Sequence, residues 1–530
     1  MERSGSDVGS SGVRGKASGS RQRILAIVLV ALAVPYGIFS LVQWHKASVE
    51  KQAGSDFTAF VKAMVQAEAI SDPLQRCLQY PDMPGSHWDA ETTRSYCELR
   101  THKTIRLSEI DALIKQGRAA EVDRTFQQYL DTQLHKVGHP GLVDIAFQNA
   151  GFDKSSGDAR RVIDAWKQQS PDSAFALGAS GMQYVDAAQE ARGRDWERNV
   201  GEQQAIDMRS QLLLAKQDLD RSVALLPSLT AVYKSMIYLG ALVGDQDYME
   251  NAAEMGMRAD PYNFFIRLEM MNLAQPRWGG QFGGMETQRA GDQADAPHNP
   301  LLKILAQYPK LYRATCNCGD SAEQTHRLVL QAIDSNLTSY KLVDLADMMF
   351  EADPKLAVQL YAEALRFDPT QADALQWRSR LLLNMHDTQA AIGVVLAASR
   401  RYPEDNAIAN RLANIYRHAG RIREAEDTYL AVLKRDPDEQ YAMSQLGDLY
   451  NHEAHQPDKA EALADALIEH HPDDPHGYIV RVCNQMDHDL PGVYDTIHYF
   501  IDHFGLQPEW KDQVAEMRAY LAKHPEPPRT

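Results

Sequence analysis

The apolar positions of the chain fall into two regimes. From Ile24 to Val42 they form one unbroken, uncharged run, ILAIVLVALAVPYGIFSLV, which meets the roughly 20 apolar residues that a membrane-crossing helix needs. Arg21 and Arg23 precede it and Trp44 follows. Residues 1–23 are Gly/Ser-rich and carry Arg3, Arg14 and Lys16. That composition is too polar to fold, and its basic excess predicts a disordered tail kept in the cytoplasm. Pro35 within the run is compatible with a membrane helix, which can satisfy the carbonyl that proline frees. A cleaved signal peptide is the competing reading; against it stand a long charged leader and an apolar core exceeding the usual length of about 7 to 15 residues. Beyond the run Ala, Leu, Gln, Glu and Arg dominate and long β-branched stretches are absent, which predicts an all-α remainder.

Within that remainder a period stands out. Pro369, Pro403, Pro437 and Pro472 follow one another at 34, 34 and 35 residues. Twelve residues before each lies Ala357, Ala391, Ala425 or Ala460, and eight before lies Tyr361, Val395, Tyr429 or Ala464. Leu412, Ala413, Tyr416 and Gly420 fill the third unit, and Leu446, Gly447 and Tyr450 the fourth. Small residues let two antiparallel helices approach, large ones fill the gap to the next pair, and proline ends the second helix. These positions resemble the tetratricopeptide repeat over roughly Tyr340 to Pro472, best from Asn406 to Asp438. The resemblance implies a solenoid of helix pairs whose concave face holds extended peptides. The second unit departs from the pattern, with Arg378 and Ser379 where Leu and a small residue are expected. One further pair is expected over Tyr478 to Gly505, then a capping helix over Pro508 to His524 with Trp510, Val514, Met517 and Leu521 on one stripe.

The preceding half echoes the period less regularly, through Pro227, Pro261 and Gly244. Its motifs ARGRDW, LDRSVALLPSLTAVYKSMI, RADPYNFFIRLEMM and PRWGGQFGGME resemble a bacterial family known as domain of unknown function 4034, which brings no activity with it. The expected layout is a tail over 1–23, an anchor over 24–42, an irregular or helical juxtamembrane segment over 43–104 and a decorated helical domain over 105–300. A linker and helix over 301–339, repeats over 340–505 and a capping helix and tail over 506–530 complete it. The polar stretch Met285 to Asn299 reads as a linker or mobile loop. The anchor and the bacterial resemblance together predict a single-pass inner-membrane protein with a cytoplasmic N-terminus and a periplasmic bulk.

Charge narrows the partners. Against 55 basic residues stand 72 acidic ones, a formal charge of -17, which repels nucleic acid and anionic lipid. Five cysteines fall beyond the anchor, where a translocated domain meets oxidising conditions. Cys77 and Cys97 flank a turn containing Pro and Gly and make a candidate disulfide. Cys316 and Cys318 read as a structural disulfide, two free thiols or a redox pair, and Cys483 as core. His452, Glu453 and His455, like His470, His471 and His476, fall at repeat turns and read as solvated residues, so no metal or cofactor is expected. No phosphate loop, nucleophile elbow or zincin motif occurs; Gly178 to Gly181 lies in a helical context.

Two candidate sites remain. On the concave face implied by the resemblance, the second unit presents Gln376, Trp377, Arg380 and Asn384, the third Asn410, Arg411, Asn414 and Arg417, and the fourth Ser444, Gln445, Asp448 and Asn451. Their amides suit a peptide backbone, and Arg380, Arg411 and Arg417 read either as a positive track or as ordinary solvated positions. The other candidate is the loop Pro276 to Gly284, where Arg277 and Trp278 adjoin Gly279 and Gly280. There Trp278 reads as a plug between helices or as a site residue. The expectation is a membrane-anchored scaffold binding a protein or peptide, active in envelope assembly or secretion. Its alternative is an enzyme of unrecognised type centred on the Trp278 loop.

Overall fold

The computed structural model describes residues 55–135, 141–193, 201–316 and 318–526. The chain divides into two units, Met1–Lys62 and Ala63–Thr530. In the first, residues 55–62 are helical. The expected tail and anchor lie outside the described residues, and among the described ones no helix is long and apolar enough to cross a membrane.

The second unit is helical, with no strand among its described residues. From Ser339 onward it is built of helix pairs: Ser339–Met349 with Pro354–Phe367, Ala372–Asn384 with Thr388–Arg401, Asn406–His418 with Ile422–Arg435, and Gln440–His452 with Pro457–His470. Pro475–His488 with Val493–Phe504 adds a fifth pair. The same local chemistry recurs along them. Carboxylates of Asp353, Asp387, Asp405, Glu439 and Asp474 accept a backbone N–H in the first turn of the helix that each precedes, satisfying donors that a helix start leaves open. Each repeat proline sits two residues past a helix end, where its missing N–H breaks no ladder. Ala357, Ala391, Ala425 and Ala460 are all fully buried, as are Tyr429 and Val395. At Gly447 an added Cβ would lie 2.7 Å from Val480 Cγ1, so only glycine admits the next pair. Lys511–Lys523 closes the array, burying Val514 and Met517 against Ile497, Phe500 and Phe504.

The preceding half packs around aromatic residues. Phe126 touches Phe147, Phe152, Trp166 and Phe175, with ring centroids 5.0 to 6.0 Å apart. Ala174–Arg192 and Glu202–Leu225 form a long pair, drawn close at Gly178 and Gly181, where a Cβ would press on Val232 and Leu219. Ser180 is inside this pair, its hydroxyl donating to Asp218 at 2.6 Å and accepting from Arg160 and Lys167. Tyr233–Val243 and Gln246–Ala259 lie between Pro227 and Pro261 and form the pair that the echoed period points to.

One expectation needs correction. Met285 to Asn299 is not a linker: Phe282–Asp295 is a helix, because Met285 and Asp292 seven residues apart are both fully buried. Arg267 fixes it, reaching Asp292 at 3.0 Å and Asp295 at 2.6 Å. Residues 301–339 likewise hold Leu302–Leu305, Tyr308–Thr315 and Ala322–Ala332, with Leu302, Ile304 and Leu305 fully buried.

Of the two alternatives for the segment up to residue 104, the described part after residue 62 takes the helical one and is part of the core. Residues 63–68 are helical, followed by Pro73–Gln79 and Ala90–Thr101. Cys77 and Cys97 join these two helices by a disulfide, both fully buried. Glu68, 2% exposed, accepts from Arg76 Nε at 3.0 Å, from Arg378 at 3.1 Å and from the Tyr80 hydroxyl at 3.1 Å. Arg76 also donates to the carbonyls of Leu365 and Arg366, Arg366 to that of Cys77, and Arg401 to those of Glu68 and Ile70. These carbonyls close helix ends that would otherwise be unsatisfied. The departure at Arg378 is thereby explained: the residue is fully buried because its partner is Glu68. Trp88 stacks on Phe367 at 5.9 Å and donates to the Ile333 carbonyl.

Candidate functional site

The first helices of successive pairs bring the repeat candidates into one row, and most are already engaged. Trp377 meets Phe350 edge to face at 5.6 Å, and Arg380 lies over the Trp377 ring at 5.8 Å. Gln376 and Gln445 are half-buried and Asn384 is exposed. Asn410 is buried and donates to Glu439 of the next pair at 3.0 Å. Asn414, also buried, donates to the Tyr441 hydroxyl and accepts from that of Tyr429. Arg411 covers the Tyr441 ring at 4.9 Å, donates to its hydroxyl and pairs with Asp373 at 2.8 Å. Arg417 pairs with Glu453 at 2.8 Å and stands 4.0 Å from Asp448. Ser444 and Asn451 are buried, and Asn451 donates to the Val480 carbonyl. Arg411 and Arg417 are therefore not part of an open positive track. Neighbouring carboxylates neutralise them, and the buried amides tie one unit to the next.

The Pro276 loop is built differently. Pro276–Trp278 is a single tight turn, ended by Gly279 in the left-handed conformation at φ 84°. A side chain at Gly280 would collide with the backbone of Ala274. Trp278 is held out between two hollows and remains 43% exposed, so it does not plug a gap. Its partner is Tyr238, edge to face at 6.1 Å.

On one side of Trp278 lies a cavity of about 450 Å³ whose walls include Asp153, Asp186, Lys234, Tyr238, Glu269 and Tyr340. Burial pushes the carboxyls of Asp153, Asp186 and Glu269 above the ordinary carboxylate range, and the Lys234 ammonium opposes the shift in all three. On the other side a hollow of about 650 Å³ is lined by Gly240, Gly244, Met249, Met270 and Gly280. The composition of the loop, Arg and Trp beside paired glycines, was the only sequence signal for either. Glu269, Asp186 and Lys234 come from three separate helices and share no motif.

The remaining candidates are structural or surface residues. Cys316 and Cys318 are joined to each other, and burial pushes the Cys483 thiol up to about 12. His470 and His471 face Asp438, His476 faces Asp474, and His452 lies 3.4 Å from Asp487. Among the described residues no three metal-ligating side chains converge.

No family model matches the chain, so the resemblance of residues 105–300 to domain of unknown function 4034 has no further support, and no curated protein matches either. Among solved structures the chain is similar to the TPR domain of P58(IPK), at 12% identity over 60% of this chain and 96% of that one, with a TM-score of 0.20. It is also similar to yeast Tom70, at 12% identity over 78% of this chain and 95% of that one, with a TM-score of 0.34. Overlays that loose decide neither fold nor function. The repeat character of the chain rests on its own helix pairs.

Proposed function

We propose that this chain is a helical-repeat scaffold that binds a segment of a protein partner along the first helices of its pairs, tethered to the bacterial inner membrane by residues 24–42 with its bulk in the periplasm. The observation that carries the binding role is the row of side chains from Trp377 and Arg380 through Arg411 and Tyr441 to Arg417 and Asp448, held on three successive pairs. Such a row offers aromatic faces and cationic groups, and a peptide's own carboxylates and carbonyls would have to draw Arg411 and Arg417 away from Asp373 and Glu453. Two disulfides suit an oxidising compartment. The test is affinity recovery from envelope extract on the immobilised full-length chain. Recovery of one protein in stoichiometric amount, lost on replacing Trp377, Arg411 and Arg417 together, supports the proposal. Recovery indifferent to that replacement moves the site elsewhere. Reporter fusions after Thr530 test the orientation, and activity of a cytoplasm-only reporter overturns it.

A second reading, an enzyme centred on the Trp278 loop, draws on the raised carboxyls of Asp153 and Glu269 beside it, since catalytic acids and bases are often tuned by burial. Turnover in a hydrolase panel that disappears on Glu269→Gln, with partner recovery unchanged, would favour it.

A further inference from the structure

We infer that the cavity walled by Asp153, Asp186, Glu269 and Trp278 receives a cationic side chain, lysine or arginine, from an extended segment of the protein partner; the inference rests on the scaffold reading above. Eight charged residues line the cavity, and four of them are accounted for within or beside it. Arg100 pairs with Asp368 at 3.0 Å, and Lys341 pairs with Asp344 at 2.9 Å. Arg277 belongs to the exposed loop at the mouth. Asp153, Asp186 and Glu269 share Lys234, and Asp153 is also under the influence of Lys154 and Arg100.

One carboxylate oxygen of the three lacks a partner. Asp153 Oδ1 is buried with no hydrogen-bond donor. Glu269 is 7% exposed, and the Lys234 ammonium and the Asn272 amide only partly offset its burial. Asp186 accepts the Ser155 N–H at 2.6 Å. A carboxylate buried as Glu269 is is costly to keep charged without a close counter-charge. A neutral side chain would leave that cost in place, and an acidic one would add to it.

The rim selects the shape of the visitor. Trp278 is 43% exposed at the mouth, and an aromatic face attracts a cation that slides over it; the neighbouring Tyr340 ring already carries the Lys341 ammonium at 4.9 Å. The stem of a long cationic side chain would lie on the Trp278 ring while its head reaches Glu269 and Asp186. A guanidinium would engage a carboxylate through two parallel hydrogen bonds. A volume of about 450 Å³ accommodates one such side chain with its flanking backbone.

The experiment compares two short blocked peptides on the full-length chain by titration calorimetry, Gly-Arg-Gly and the same peptide with citrulline, which keeps the shape and removes the charge. The arginine peptide should bind at least about tenfold more tightly, a ratio expected of a charge-assisted pair in a shielded site. Glu269→Gln and Asp186→Asn, both near-isosteric, should each erase most of that ratio while melting stays within a degree or two of wild type. Equal affinity for the two peptides overturns the inference, as does a preference that survives both substitutions, or no saturable binding at millimolar peptide. Partner recovery separates this outcome from failure of the scaffold reading. A partner retained by Glu269→Gln and lost on replacing Arg411 and Arg417 leaves the scaffold standing and removes the cavity from it.

Discussion

The repeat pairs after Ser339 and the Glu68 centre both dock helices on helices, with opposite chemistry. In the repeats the contacts are alanine, glycine and tyrosine, drawn from neighbours one helix or one unit away, as at Ala425, Tyr429 and Gly447. At Glu68 the contacts are ionic: Arg76 and Tyr80 reach the buried carboxylate from nearby in sequence, and Arg378 and Arg401 from 310 and 333 positions away. Burial acts to raise the Glu68 carboxyl, and Arg76, Arg378 and Arg401 outweigh it, holding it at about 2. Apolar contacts of the first kind degrade gradually when altered. The members of a buried ionic centre depend on one another, and removing the carboxylate leaves the guanidiniums charged and dry.

That contrast predicts a graded series. Glu68→Ala should cost most, about 3 to 5 kcal/mol, because Arg378 is fully buried and Arg76 nearly so; a thermal melt of the full-length chain that barely moves would refute the central role of the carboxylate. Replacing Cys77 and Cys97 together by serine should cost about 2 to 4 kcal/mol, measured as a shift in the urea midpoint. Gly447→Leu drives a side chain into Val480 and should cost about 1 to 3 kcal/mol. Its effect should be confined to hydrogen exchange in Gln440–His452 and Pro475–His488, whereas Glu68→Ala should loosen both the segment after residue 62 and the second repeat unit. Arg417→Gln, which breaks a partly exposed pair with Glu453, should change stability by only about 0 to 1 kcal/mol.

The mildest probe is pH. Burial raises the Asp144 carboxyl to about 6, against hydrogen bonds from Thr230 and Asn263. Its folded value lies above the ordinary 3.8, so its stabilising contribution is complete below that value and is lost as pH rises through about 6. Glu68 has the reverse sign: its contribution is complete above 4.5 and is lost as pH falls towards about 2. Hydrogen exchange in Leu142–Asn149 should therefore slow between pH 6 and pH 4, and Asp144→Asn should remove that change. Residues 63–68 should stay protected until the medium is more acid than pH 4.5.

The same contrast governs what could be read from the chain. Ala357, Ala391, Ala425 and Ala460 announce their contacts because the partner helix is next in sequence and the spacing repeats. Arg378 looked like a flaw in the second unit, since nothing nearby names Glu68, 310 residues away, as its partner. Read within one unit, Asn410 and Asn414 fall on the concave face as groups open to a peptide; Glu439 and Tyr441 of the next unit engage them instead. A signal for this was present one period downstream. The stretch from Met285 looked like a linker because its composition is polar, while its buried face is only Met285 and Asp292, the latter answered by Arg267 from another helix. Of the cavity beside Trp278, only the loop itself left a trace in the sequence.

The Glu68 centre also imposes an order on events during synthesis. Glu68, Arg76 and Tyr80 leave the ribosome long before Arg366, Arg378 and Arg401 exist to receive them, and contacts of such separation form slowly. The Cys77–Cys97 link spans only 20 residues and has all of its atoms early. A nascent chain stopped before Arg366 would thus carry a closed loop with no seat for it, its carboxylate still in water. Chains arrested at increasing lengths should show residues 63–103 sensitive to protease until Arg401 has emerged, and resistant afterwards.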